Sequence, residues 1–251
     1  KSALGITSDV ELTSFDPVAA ALSDTPAVAA AGVEVAMHGV AVQNLVVQAA
    51  AAVRAVDHSG GNYSGWGAPT SDVYKALASH IDGLAANTEI MPTTNTPAQN
   101  VAILKGLVEA AGQTANLSAA DLDEVKAVSD EVATVMYEGI AQLQSAISNS
   151  AGSFDALNAM AEAAVVAQGS SASSITAAVD AIEADPTDTA LLSTLVTSYS
   201  GTSLVTALDA AVVGDVTGST VNDPPYAEDD SVATSEDTAI PISPATLIAN
   251  D

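Results

Sequence analysis

Hydrophobic and polar positions follow helical periods along most of the chain and lose that period near residue 214. Asp16-Pro17 places a capping acceptor before a proline at the first helical position, which predicts a short helix from Pro17 to Ser23. Thr25-Pro26 opens a long helix reaching Val56. In it Val28, Gly32, Val35, Gly39, Val42, Val46, Ala49, Val53 and Val56 step alternately by 4 and 3, a heptad seam of small residues that lets partner helices approach closely. Val33, Val40, Leu45 and Val47 make the other faces apolar as well, so this helix is expected at the centre of its domain. Its β-branched content lowers intrinsic helix propensity, and packing must supply the stability.

Ser59 to Pro69, SGGNYSGWGAP, reads as a loop on its glycines and proline. A helix from Ser71-Asp72 to Ala86 follows, then a second loop over Asn87–Thr96 and a helix from Pro97 to Ala115. Ser118 with Asp121 forms a capping box that opens a helix to Ser148. Its apolar stripe is Leu122, Val125, Val132, Val135, Met136, Ile140, Leu143 and Ile147, with Asp123, Glu124, Asp130, Glu131 and Glu138 largely on the opposite side. Shorter helices are predicted over 155–168, 171–184, 187–198 and 203–212, with breaks at Gly169-Ser170 and Asp185-Pro186. Many helices joined mostly by short loops predict a mainly α, up-and-down bundle around a long central helix, over residues 1–214. From Val216 onward threonine, aspartate, proline and alternation replace the helical period. Ser231–Thr234 and Ala239–Ile242 read as short strands, so residues 215–251 are expected to form a linker and a short β-type tail.

Composition sharpens this picture. Of 251 residues 52 are alanine, and 31 acidic against 5 basic side chains give a net charge of −26. Such a polyanion repels phosphate backbones and anionic headgroups, which argues against nucleic-acid partners and docking on a basic face. Absence of cysteine excludes disulfides, thiolate nucleophiles and cysteine-ligated zinc. An acid excess of this size suits salty water, where a short Debye length damps self-repulsion, although solubility alone would also account for it. The opening residues lack the basic-then-apolar pattern of a secretion signal. The most apolar stretch, Val35–Val53, contains His38, Gln43, Asn44 and Gln48, four polar groups that would need partners in lipid. It therefore reads as a buried helix and not as a membrane span.

The last residues carry a specific order of motifs: Asn222-Asp223-Pro224-Pro225, Asp229-Asp230, Glu236-Asp237-Thr238 and Leu247-Ile248-Ala249-Asn250-Asp251. This run resembles the opening of a bacterial cadherin-like repeat of the tandem β-sandwich kind, cut short before the rest of the sandwich. The resemblance implies a large secreted or surface-anchored bacterial protein of adhesin or matrix type, with repeats stiffened by calcium at their linkers. Calcium takes six to eight oxygen ligands, and Asp223, Asp229, Asp230, Glu236, Asp237, Asn250 and Asp251 are a candidate supply; a solvated acidic linker is the plainer reading.

Catalytic motifs are absent from the sequence: no nucleophile elbow, paired zinc-binding histidines, phosphate loop or calcium-binding EF-hand loop. His38 beside the seam reads as a satisfied, partly buried side chain. Asp57-His58 ends the long helix, where a cationic His58 complements the C-terminal dipole, and a triad of His58 and Asp57 with Ser59 or Ser64 is disfavoured because triad partners rarely adjoin in sequence. Tyr63 and Trp66 on the glycine-rich loop are a candidate platform for a sugar or peptide, weighed against a plug for the bundle end. These readings lead to a non-enzymatic structural or interaction module of an extracellular bacterial surface protein, whose partners are other protein subunits or cell-surface ligands. The alternatives are a self-assembling homo-oligomeric subunit that donates its tail as a strand, and a carbohydrate- or peptide-binding module centred on Tyr63 and Trp66.

Overall fold

A computed structural model of the chain describes residues 4–56, 67–83, 95–185, 187 and 189–211, the side chains of 67–69 excepted. The chain divides into two units, Lys1–Val213 and Gly214–Asp251, and the second lies outside the described residues. The first is a helical bundle with no strand among the described residues.

Helix α1 (Pro17–Ala21) starts as its sequence dictates, with the Asp16 carboxylate accepting from Val18 N and Ala19 N. Helix α2 (Pro26–Val56) is the axis of the bundle. It packs against α1, α3 (Gly67–Gly83), α4 (Pro97–Thr114), α5 (Ala119–Ser148), α6 (Ser153–Val165) and α7 (Ala172–Ala184). Helices α8 (Ala190–Ser198) and α9 (Gly201–Asp209) close the unit against α5, α6 and α7. The central position expected for the long helix is thus observed. The heptad seam holds only in part. Val46, Ala49, Val53 and Val56 are buried, but Val28 and Gly39 face solvent. Over Ala49–Val53 α2 is enclosed on every side, and these five residues are all fully buried irrespective of register, while Gln43 and Arg54 on either side of them are exposed. At the other end α1 lies across Gly32, and the opposite face stays open.

The core is filled by small residues, with Leu45, Leu104, Leu107, Met136 and Leu143 as its largest fully buried side chains. Each such leucine contributes about 1.5–3 kcal/mol over exposure. The stripe on α5 is buried at Val125, Val132, Val135, Met136, Ile140 and Leu143, as its period requires. Ser118 and Asp121 form the expected capping box, and Thr96 with Gln99 forms a second one at α4. α4 ends in a Schellman turn, with Leu117 N donating to Gly112 O, Asn116 N donating to Gln113 O, and Asn116 left-handed at φ 54°.

The sequence-based boundaries shift in several places. α3 begins at Gly67, inside the stretch read as loop; α6 begins at Ser153, earlier than 155; α8 begins at Ala190, later than 187; α9 spans Gly201–Asp209, earlier than 203–212. The break expected at Gly169-Ser170 does not exist: α6 runs into α7 through a π-helical turn, Val166–Ser171. Glycine and serine weaken a helix, but here tertiary hydrogen bonds hold the turn in place.

Candidate functional site

The π-turn faces α2 where the most apolar helix of the chain carries two amides. Asn44 and Gln48 lie one turn apart and are 8% and 4% exposed. Gln168 Nε2 donates to Asn44 Oδ1 at 3.1 Å, and Gln48 Nε2 donates to Ser171 Oγ at 2.8 Å. An α-helical turn widened by one residue changes which side chains point inward, and it brings both Gln168 and Ser171 to α2. Ser170 Oγ returns to Val166 O at 3.3 Å. Nearby, the Tyr199 hydroxyl at the end of α8 lies 3.1 Å from Ser174 Oγ.

A cavity of about 20 Å³ sits beside this cluster, large enough for one water. Its polar side is Asn44, Gln48, Ser171 and Tyr199. Val135, Met136 and Ile140 of α5 form an aliphatic wall, and Leu204 and Leu208 of α9 cover it. No carboxylate, ammonium or imidazole lines it among the described residues. The arrangement can hold and orient a neutral hydrogen-bonding group; it has no acid–base pair.

A second polar cluster ties the N-terminal segment to α2. The Glu34 carboxylate accepts from Thr7 N at 2.7 Å, Thr7 Oγ1 at 2.6 Å, Ser8 N at 3.0 Å and Ser8 Oγ. Burial works to raise its pKa, but these four bonds prevail and hold it at about 2. One turn on, His38 is 2% exposed. Burial lowers its pKa below the usual 6.5, opposed by the Glu34 charge. The expectation of a buried His38 holds, but that of a satisfied one does not: Nδ1 has no hydrogen-bond partner among the described residues. His80 Nε2, on a ring packed against Gly106, and Asn100 Nδ2 are likewise unpartnered.

Tyr63, Trp66 and His58 lie outside the described residues, as do Asp223, Asp229, Asp230, Glu236, Asp237, Asn250 and Asp251. No cluster of three or more metal-ligating side chains exists among the described residues. The amide pair on α2 was visible in the sequence only as polar interruptions of an apolar helix; its partners lie more than a hundred residues away. No protein family, curated protein or solved structure matches the chain.

Proposed function

We propose that the chain is a non-enzymatic structural and interaction module of an extracellular bacterial surface protein of adhesin type. The observation that carries this reading is the ordered motif run of residues 222–251, which resembles the start of a cadherin-like β-sandwich repeat. On this reading the helical bundle precedes a β-type stalk, and the seven acidic and amide side chains from Asp223 to Asp251 supply calcium ligands there. Its partners are other protein subunits or cell-surface ligands, with no nucleic acid among them.

The bundle supports the reading indirectly. Its interior is alanine and valine packed around α2, and its polar cluster is neutral and turned inward. α2 is long and apolar enough to cross a membrane, yet 67% of its most apolar stretch is buried by the protein itself, which favours a core helix. The net charge of −26 fits a saline exterior that screens it.

Calcium titration calorimetry tests the tail. The expected dissociation constant is about 10⁻⁴–10⁻³ M, the range of extracellular modules. Asp229→Asn with Asp230→Asn should weaken it at least tenfold, while light scattering shows a monomer in millimolar calcium and in chelator alike. Calcium binding that ignores both substitutions, or filaments that form on calcium addition, would contradict the proposal.

A further inference from the structure

Three unusual features coincide beneath α9. A π-turn inside an α-helix is rare and is found frequently at functional sites. Buried amides must be desolvated. A cavity forfeits packing that Leu or Ile would regain. A sequence selected only for a tight bundle has no use for any of them, and departures from local rules collect at functional sites.

The hydrogen-bonding capacity left over defines what would fit. Asn44 Oδ1 and Gln48 Nε2 are engaged by Gln168 and Ser171. Asn44 Nδ2 and Gln48 Oε1 have no such partner among the described residues, and both side chains line the cavity, which leaves a donating and an accepting group a turn apart there. A hydroxyl, which both donates and accepts, matches that pair. The absence of charged groups from the lining calls for a neutral molecule, and the α5 wall calls for an aliphatic body. Met136 in that wall is the side chain best able to adapt to it.

The cover is lightly held. α9 has nine residues, and Leu204 is its one buried side chain. Its first residue is Gly201, at φ +50°, a conformation that suits glycine at a hinge. Burial, and after it the negative charge of Asp209 on α9, raise the pKa of Glu162 on α6.

We propose that this cavity binds a small neutral aliphatic alcohol, its hydroxyl held between Asn44 and Gln48, and that α9 is the lid that lifts to admit the carbon chain. The closed cavity then holds one water in the place of the hydroxyl.

The test is a titration of the folded chain with 1-propanol, followed through the side-chain amide resonances of Asn44 and Gln48. Saturating shifts are expected, with none from propionate, which has the same chain length and a charge. Gln48→Leu, which removes the acceptor at similar volume, should weaken binding about tenfold, the worth of one hydrogen bond. Leu204→Ala enlarges the space under the lid and should move the preference to 1-pentanol. Shifts that grow linearly without saturation, or equal shifts with propionate, would overturn the proposal. If Gln48→Leu fails to fold, Leu204→Ala decides: an unchanged chain-length preference overturns it as well.

Discussion

Gly32 and Gly39 stand in the same seven-residue register, yet their surroundings oppose each other. A Cβ on Gly32 would stand 2.1 Å from Ala21 N, whereas a Cβ on Gly39 would meet nothing within 4 Å. Gly32→Ala should force α1 off α2 and cost about 1–3 kcal/mol, as overpacking does. Gly39→Ala should stabilise by about 0.5–1 kcal/mol, the helical advantage of alanine. Denaturant titration of both variants checks the pair. The acidic limb of stability is also set by single residues. Glu34 has a folded pKa below its unfolded 4.5, so its contribution is complete above 4.5 and is lost as pH falls to about 2. His38 has a folded pKa below 6.5, so the unfolded chain takes its proton first and stability starts to fall as pH drops through 6.5. Glu34→Gln should flatten the profile between 4.5 and about 2, and His38→Leu should flatten its onset near 6.5; stability measured against pH separates the two. The heptad spacing showed that α2 would be packed by close neighbours. It could not separate Gly32 from Gly39, because register gives a face and not the helix that covers it.

Elements were legible wherever a local group decides them. Asp16 and Ser118 accept from backbone N–H groups within one turn, Pro26 and Pro97 fix φ at the first helical position, and the helices start where these residues put them. The π-turn was not legible, because Gly169 and Ser170 argue locally for a break and the forces that deny it come from α2. Its stability should therefore depend on those distant pairs. Gln48→Ala leaves Ser171, itself 1% exposed, without its partner and should cost about 1–3 kcal/mol. Gln48→Ala with Ser171→Ala removes both ends of the bond and should cost less than the two single losses added together. A double-mutant cycle by denaturation measures the coupling, and additive losses would mean that the bond does not hold the turn.

At the scale of the whole molecule, charge dominates. Lys75, Lys105 and Lys126 are each held by one carboxylate, Asp72, Asp130 and Asp123, at 2.7–2.8 Å. These exposed pairs contribute little, and the large acid excess remains unbalanced. The bundle should therefore gain stability as salt rises from about 0.01 to 1 M, where the Debye length shrinks from about 30 to 3 Å. Thermal unfolding across that range tests this, and a melting temperature that falls or stays level would show that self-repulsion does not limit the stability of the bundle. The same charge suits a protein that works outside the cell, which the tail motif proposes on separate grounds. Antibody labelling of the cells that make the protein, intact and then permeabilised, tests that location most directly. Full labelling of intact cells is the predicted result; labelling confined to permeabilised cells would contradict the account.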